Sequence, residues 1–319
     1  MRTRKLIACV LIGLYPFFGS AILRAQTCPP AEGVALQVLG SGGPIADDAR
    51  ASSGYLVWID GRARVLVDLG GGAILRFAQA GASFADLDAV LLSHLHADHS
   101  AGLPALLKSG YFAQRSRRLT VAGPSGGGNA KVQFPSLDQY VDSLLQAGSG
   151  AYAYLSDYLQ KEAGAPYLQL ETVVNEPGRE ALIPVKDAQS NVSIRALSVS
   201  HGPVPALAYR IQTSNRVVVF AGDQDGRTVT FPDFAKESDV LVLHMPIPEG
   251  AGPGARALHA TPSRLNEVAR DAGAKEVILS HFMARSLRDI ESNVALIEAK
   301  FPGRVRVAED LDCVPITGG

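Results

Sequence analysis

A dense group of metal-binding side chains occurs in the stretch Ser93-His94-Leu95-His96-Ala97-Asp98-His99-Ser100-Ala101-Gly102, directly after the apolar run 89–92. Three imidazoles and one carboxylate fall within six residues, too closely for a regular helix or strand to direct them all at one ion. A turn that follows a strand can send two of them to one metal and two to its neighbour. One such histidine would be ordinary structure, but this spacing predicts a metal site.

Three further ligand candidates lie downstream, and each of them ends an apolar run. They are His201, Asp223 and His281. Imidazole and carboxylate groups at strand ends, with no cysteine among them, suit zinc or a similar divalent ion. We therefore expect two divalent metal ions, with zinc as the favoured element.

The first 25 residues differ from the rest of the chain. A basic start precedes a largely apolar stretch, residues 6–23. This pattern predicts a secretory signal peptide over residues 1–25. It also predicts a periplasmic or secreted protein with no stable membrane anchor after cleavage. The alternative is an uncleaved anchor helix, which Pro16 and Gly19 weaken.

The charge of the chain argues against general binding of nucleic acid. Cleavage after residue 25 would leave 26 basic against 31 acidic side chains, a net charge of −5, compared with −1 for the full chain. Proteins that bind the nucleic-acid backbone use Lys and Arg to displace its counterions. No nucleic-acid partner is therefore expected.

Cysteine usage agrees with export. Cys9 would leave with the signal peptide, and Cys28 and Cys313 would remain near the two ends of the mature chain. Chain termini of a domain often lie close together, and an oxidising compartment favours disulfides. We expect a Cys28–Cys313 disulfide; two unpaired buried thiols are the alternative.

Extended and helical segments alternate along the chain. The first half has strands near 34–39, 55–59, 64–68, 89–93 and 119–122, and the second half has strands near 181–185, 192–199, 206–212, 216–221, 239–243, 276–280 and 304–308. Helices are expected near 72–80, 103–108, 262–272 and 287–299. This pattern indicates an α/β protein in which two sheets pack together, helices cover the outside, and the metal lies in a cleft along one edge.

An insertion is predicted around 125–190 within a single domain spanning 28–319. It begins with a glycine-rich connector at 124–129 and continues with a helical pattern over 136–163. Four tyrosines lie around it: Tyr152, Tyr154, Tyr158 and Tyr167. We expect them to pack against the domain; the alternative is a wall that stacks on an aromatic substrate group.

The metal-ligand pattern resembles that of the metallo-β-lactamase superfamily over nearly the whole mature chain. The resemblance implies a four-layer αββα sandwich. It also implies that His94, His96 and His201 hold one metal, that Asp98, His99 and His281 hold the second, and that Asp223 bridges them. Asp68, in Val67-Asp68-Leu69-Gly70, would orient the histidine loop without binding metal.

Three motifs are similar to those of the ribonuclease Z and arylsulfatase branch. They are His201-Gly202-Pro203-Val204-Pro205, His259-Ala260-Thr261 and Glu276-Val277-Ile278-Leu279-Ser280-His281-Phe282. The resemblance implies that His259 assists catalysis near the scissile group; a capping or surface histidine is the alternative. Because members of this branch often dimerise, a homodimer is also allowed.

Two departures from that branch argue for a small substrate. Its His-Glu-Ala-Thr motif corresponds to His244-Met245-Pro246-Ile247, so the glutamate is missing. The arm that clamps tRNA usually lies between the motifs of His201 and Asp223, which here are only about 20 residues apart. Processing of tRNA is therefore disfavoured. His244 either faces the substrate pocket or has a structural role.

The expected chemistry is hydrolysis of a small ester by a metal-bridging hydroxide, since two divalent ions lower the pKa of water and stabilise developing charge. Asp98 would hydrogen-bond that hydroxide, and His259 would stabilise the transition state or protonate the leaving group. A phosphodiester or an aryl sulfate is the expected substrate, and a lactonase or other acyl hydrolase is the enzymatic alternative. A non-catalytic, metal-stabilised binding protein is the alternative from another class.

Overall fold

The computed structural model describes residues 28, 32–113, 115, 117–160 and 167–317. The predicted signal peptide over 1–25 lies outside these residues. Among the described helices, none combines the length and the apolar character that a membrane crossing requires.

Two mixed β-sheets form the centre of the fold. The first has the order β16-β1-β2-β3-β4-β5-β8 and the second β15-β14-β13-β12-β11-β10-β9. The strands of the first sheet are β1 (Val34–Gly40), β2 (Gly54–Ile59), β3 (Arg62–Leu69), β4 (Ala89–Leu91), β5 (Leu119–Pro124), β8 (Leu168–Val173) and β16 (Cys313–Ile316). Those of the second are β9 (Glu180–Ile183), β10 (Ser193–Val199), β11 (Ala206–Gln212), β12 (Val217–Phe220), β13 (Val240–His244), β14 (Glu276–Ser280) and β15 (Arg304–Val307). A separate short hairpin pairs β6 (Gly127–Gly128) with β7 (Gln133–Phe134).

Helices cover the outer faces of both sheets. They are α1 (Ala73–Gln79), α2 (Ala97–Ser100), α3 (Leu103–Gly110), α4 (Leu137–Leu145), α5 (Phe231–Phe234), α6 (Pro253–Arg256), α7 (Pro262–Ala272), α8 (Ala284–Leu287) and α9 (Ile290–Glu298), with 3-10 helices at Phe84–Asp86 and Ala153–Leu159. Helices α1, α3 and α4 pack on the first sheet, and α5, α7 and α9 pack on the second. This arrangement confirms the predicted four-layer αββα sandwich.

A third apolar layer lies between the two sheets and joins them. All seven residues of β1 and all six of β2 are buried, because each strand is covered on both faces. Tyr55 of the first sheet contacts Phe220 of the second, with ring centroids 5.5 Å apart. The hydroxyl of Tyr55 points from this layer into the polar edge where the predicted ligands meet.

The predicted insertion is less regular than its sequence indicates. Helix α4 begins where Ser136 and Gln139 form a capping box, but it ends at Leu145 instead of continuing toward residue 163. The chain leaves helical geometry at Gln146, whose ψ is 131°, and Gly148 follows with φ 81°, a left-handed conformation that favours glycine. A 3-10 helix then covers 153–159, and residues 161–163 lie outside the described part. The expected connector at 124–129 contributes instead to the β6–β7 hairpin.

The strand at 304–308 is the last one that the sequence pattern predicts, but it is not the last one in the structure. Strand β16 follows it and pairs antiparallel with β1, with Val34 opposite Ile316. Pro315 makes this strand hard to predict, because proline in a sequence argues against a strand. The sheet tolerates it because β16 lies at an edge. The expected helix over 287–299 corresponds to α9 (Ile290–Glu298), and the separate short helix α8 (Ala284–Leu287) precedes it.

One tyrosine of the insertion packs against the domain, whereas two others are partly or largely exposed. Tyr158 is fully buried, and its hydroxyl donates a hydrogen bond to the Leu107 carbonyl at 2.8 Å, so it packs against the domain as expected. Tyr154 is 59% exposed and Tyr152 37% exposed. Packing therefore explains Tyr158 but not these two rings.

A disulfide joins Cys28 to Cys313 across a sequence separation of 285 residues, as predicted. Cys313 opens β16, which lies at the edge of the first sheet beside β1. The bond therefore ties the N-terminal end of the described chain to its last strand.

Replacing both cysteines by serine, in C28S/C313S, should lower the free energy of unfolding by about 2–4 kcal/mol, because the disulfide restricts the unfolded chain. Urea denaturation of the oxidised protein measures this difference. A reductant should move the wild-type midpoint to that of the variant and leave the variant unchanged. Equal midpoints for both oxidised proteins would show that the bond contributes nothing to stability.

Candidate metal centre

The seven predicted ligands meet at one edge of the sandwich because each follows the end of a strand. The histidine loop follows β4, and His201, Asp223 and His281 follow β10, β12 and β14. His281 has φ 59° and Asp68, at the end of β3, has φ 54°. Non-glycine residues in this left-handed region are strained and concentrate at functional sites.

Asp68 holds the histidine loop in place. Its Oδ1 accepts a hydrogen bond from the Ser93 amide at 2.7 Å, and its Oδ2 accepts one from Ser93 Oγ at 2.8 Å. Its Oδ2 also lies 2.8 Å from His99 Nδ1, which leaves Nε2 of that ring for other ligands. A side chain on Gly70 would overlap the Asp98 carbonyl, so glycine is needed there for the loop to approach β3. Asp68 thus orients the loop, as the resemblance implied.

His94, His96 and His201 form the first ligand group. His94 Nε2 lies 2.9 Å from His96 Nδ1, and ligand atoms of all three residues lie within 4.8 Å of one another. His201 Nδ1 donates to the Leu258 carbonyl at 2.8 Å, which fixes the tautomer with a lone pair on Nε2. That Nε2 is buried and has no hydrogen-bond partner among the residues that the structure describes.

Asp98, His99 and His281 form the second ligand group. Asp98 Oδ2 lies 3.4 Å from His99 Nε2 and 3.2 Å from His281 Nε2. The two Nε2 atoms are 3.0 Å apart. All three residues are at least nine-tenths buried. The structure therefore brings the two ligand groups together as two neighbouring sets of three.

Asp223 lies between the two ligand groups. Its Oδ2 is 3.7 Å from His201 Nε2 and 4.0 Å from His94 Nε2, both in the first group. Its Oδ1 is 3.4 Å from His281 Nε2 in the second group, and its Oδ2 is also 3.8 Å from His99 Nε2 in that group. A carboxylate that lies within 4.0 Å of ligand nitrogens from both groups has the geometry of a bridging ligand.

His244 lies behind Asp223 and is only 5% exposed. Its Nδ1 is 2.6 Å from Asp223 Oδ1, and its Nε2 is 3.1 Å from the Tyr55 hydroxyl, which also lies 2.9 Å from Ser280 Oγ. Both ring nitrogens are therefore engaged, although a ligand atom of His244 lies close enough to those of His99, Asp223 and His281 to join them around an ion. The contacts favour the structural role for His244.

His259 lies at the rim of the cluster, with its Nδ1 3.8 Å from Asp223 Oδ2 and its ring centroid 5.1 Å from that of His201. It is 8% exposed, and burial lowers its pKa to about 3. The ring is therefore neutral near pH 7. This argues against a stored proton on His259 and for a neutral imidazole whose N–H donates a hydrogen bond.

The pKa shifts of His94 and Asp223 suit metal binding, whereas at His99 the effect of burial is outweighed by the charges of Asp68 and Asp223, which raise the pKa, so that ring holds its proton more firmly. Burial lowers the pKa of His94 well below its usual value, so the ring is neutral. Burial opposes ionisation of Asp223, but the surrounding histidines outweigh it and hold the pKa of that carboxyl well below its usual range. Neutral imidazoles and an ionised carboxylate are the forms that bind divalent ions.

The residues present fit a metal centre by their chemistry and by their unmet contacts. Imidazole nitrogens crowd together, and the buried His201 Nε2 has no hydrogen-bond partner among the described residues. Buried polar atoms are normally satisfied, so an orphaned lone pair at a cluster of this composition points to a cation. A third combination, His201 with Asp223 and His259, also lies within ligand distance.

Comparison with known proteins identifies the family. The sequence pattern of the Beta-lactamase superfamily domain matches residues 63–282, more than half of the chain. The chain therefore belongs to the metallo-β-lactamase superfamily of metal-dependent hydrolases, which confirms the family expected from the motifs.

Relatives within this family include ribonuclease Z from Mycobacterium bovis (strain BCG / Pasteur 1173P2). It is 28% identical over 296 residues, which cover 88% of this chain and 98% of the relative. The structure of human tRNase Z, short form, is similar with a TM-score of 0.66 at 18% identity, over 89% of this chain and 100% of that one. A diphosphatase from the PhnP family has a TM-score of 0.59 at 18% identity, over 88% and 97%. These two structural similarities show the fold.

Replacing Asp68 by asparagine should weaken metal binding by about 10- to 100-fold, because partners that orient ligands typically contribute that much. The amide of the variant could accept only part of the hydrogen-bond set from Ser93 and His99. Titration of zinc against a chromogenic chelator measures the affinity. Asp233→Asn is the matched control, since it removes an exposed carboxylate on α5. Equal zinc affinity for D68N and wild type would contradict an orienting role.

Proposed function

We propose that this chain is an exported dinuclear zinc hydrolase, with residues 28–319 as its single domain, and that it cleaves a small phosphodiester or aryl sulfate. The observation that carries the proposal is the position of Asp223, whose carboxylate lies 3.7 Å from His201 Nε2 in the first ligand group and 3.4 Å from His281 Nε2 in the second. A bridging carboxylate supplies negative charge where two dications lie close together. When bound, the two ions provide a water of lowered pKa and positive charge for the oxygens of the reacting centre.

The chain's own residues orient and complete this chemistry. Burial opposes ionisation of Asp98, but the neighbouring His281 and His99 outweigh it and depress the pKa of this carboxyl. It can therefore accept a hydrogen bond from the attacking water. His259, as a neutral ring at the rim, donates to the oxygen of the leaving group as charge develops there.

The surroundings of the site support a small substrate. Besides β11 and β12, residues 201–223 contain only short connecting segments, so this part of the chain has no room for a long clamping arm. On another side, Phe134 of the β6–β7 hairpin lies against His96, with ring centroids 6.1 Å apart. This hairpin narrows the approach to the first ligand group.

Cleavage of RNA is the second candidate, because a curated relative at 28% identity over 88% of the chain is a ribonuclease Z. The predicted absence of a nucleic-acid partner therefore requires a direct test. The missing clamp between His201 and Asp223 and the acidic balance of the chain favour the small ester.

Side-by-side turnover measurements test the proposal. Zinc-loaded protein is given bis-p-nitrophenyl phosphate, p-nitrophenyl sulfate, a lactone, a cephalosporin and a precursor tRNA, and its metal content is read on the same sample. We expect turnover of the phosphodiester or the sulfate with about two metals per chain. Cleavage of the tRNA alone would establish the second candidate. Two bound metals without turnover of any substrate would favour a binding protein and overturn the proposal.

A further inference from the structure

A cavity of about 320 Å³ opens beside His259, which lies at the rim of the metal centre. Three arginines, one from the loop after β12, one from α6 and one from α7, surround it. The lining residues are Asp225, Arg227, Arg256, His259, Thr261 and Arg264. We call this feature the arginine cavity. Because His259 belongs to both, the arginine cavity adjoins the candidate reaction site.

The three guanidinium groups differ in how firmly they are held. Arg264 is fixed, since its Nε and Nη2 donate to the Gly226 carbonyl at 3.0 and 2.8 Å and its Nη1 pairs with Glu267. Gly226 makes this possible, because a Cβ there would lie 2.8 Å from Arg264 Cγ. Within the part of the chain that the structure describes, the side chain of Arg256 donates a single hydrogen bond, from Nη2 to the Glu249 carbonyl at 2.9 Å.

Arg227 is exposed, and within the described residues its guanidinium has no hydrogen bond or ion pair. Asp225, the one carboxylate among the lining residues, is 7% exposed and is already engaged by Ser200 Oγ at 3.0 Å and by the Arg227 amide at 2.9 Å. The arginine cavity therefore carries more positive than negative charge and has donors left over. Guanidinium donors of this kind match carboxylate, phosphate and sulfate groups.

We propose that the arginine cavity binds a second anionic group of the substrate, carried on the leaving-group side next to His259. This inference rests on the proposed function and deepens it: the substrate is an ester whose leaving alcohol bears its own negative charge. Arg227 and Arg256 contact that group, and Arg264 supplies a fixed positive charge at the wall. Simple aryl esters without such a charge would bind less tightly.

Calorimetric titration with non-hydrolysable phosphonates tests the inference without turnover. The probes are 3- and 4-carboxybenzylphosphonate and the matching carboxamides, which differ in one charge and hardly in shape. For at least one carboxylate, wild-type zinc-loaded protein should bind about tenfold or more tightly than the carboxamide, as charge-assisted bonds predict. Arg227→Ala with Arg256→Ala should remove this preference and leave carboxamide affinity unchanged.

Arg270→Ala is the matched control, because it removes an exposed arginine at the far end of α7. It should keep the wild-type preference, and thermal unfolding of all variants verifies that they are folded. Equal binding of carboxylates and carboxamides by wild type, or a preference that survives in the double variant, would overturn the inference. A carboxylate preference in protein that hydrolyses no ester would sustain this inference while the proposed function fails. Ester turnover without the carboxylate preference would support the proposed function and overturn this inference.

Discussion

Asp223→Asn should reduce turnover of the hydrolysed ester by more than the roughly 10- to 100-fold expected for residues that only orient ligands. Asparagine keeps the shape of the side chain but removes the charge shared between the two ligand groups. Without that charge, two dications repel each other across a short separation. We therefore expect the bound metal to fall from two ions per chain toward one, measured by elemental mass spectrometry alongside steady-state kinetics.

Asp88→Asn is the matched control for Asp223→Asn. Asp88 is also fully buried and also charged, but it pairs with Arg117 and Ser190 away from the metal centre. Its loss should lower stability and leave metal content unchanged. Full metal content and normal turnover in D223N would show that Asp223 does not bridge.

His259→Ala should lower kcat by about 10²- to 10⁴-fold, the range expected for a group that assists proton or charge movement in the transition state. Metal content should stay at the wild-type level, because His259 belongs to neither ligand group. Since burial lowers its pKa to about 3, the ring is neutral throughout the neutral range. The ratio of wild-type to variant rates should therefore stay constant between about pH 6 and about pH 8.

Metal content distinguishes a hydrogen-bond donor at His259 from a metal ligand, which the structure also allows. His201, Asp223 and His259 also lie within ligand distance of one another. If His259→Ala loses an ion, the histidine is a ligand and not a hydrogen-bond donor. An unchanged kcat with full metal content would remove it from the mechanism altogether. His259→Asn, which keeps an N–H donor, should recover part of the lost rate.

The ligand residues could be predicted because their signal is local. Each of them follows a recognisable apolar strand, and the histidine loop carries its own spacing within six residues. Their division into two groups was implied by the resemblance to the superfamily. The expectation of two packed sheets followed from the same strands, which are largely apolar because both of their faces are covered.

The hydrogen-bond chain behind Asp223 could not be predicted in the same way. Tyr55 and His244 are 189 residues apart in sequence, and Tyr55 and Ser280 are 225 apart. Tyr55 alone reads as an ordinary core residue of an apolar strand, and nothing local marks its hydroxyl as a partner of His244. Only the packing of the first sheet on the second brings them together.

Short or interrupted elements could not be predicted from the sequence either. Strand β16 has four residues and contains Pro315, which normally argues against a strand, yet an edge position tolerates it. The arginine cavity could not be predicted from the sequence, because its three arginines come from separate segments and each one alone has the pattern of a solvated surface charge. Their shared cavity depends on where α6 and α7 lie relative to the loop after β12.

X-ray diffraction from zinc-loaded crystals, with anomalous maps recorded at the zinc edge, tests the dinuclear centre most directly. We expect two peaks: one among His94, His96 and His201, and one among Asp98, His99 and His281, with Asp223 between them. A single peak would contradict the two-metal site. So would an ion held by His244 or His259 in place of either ligand group.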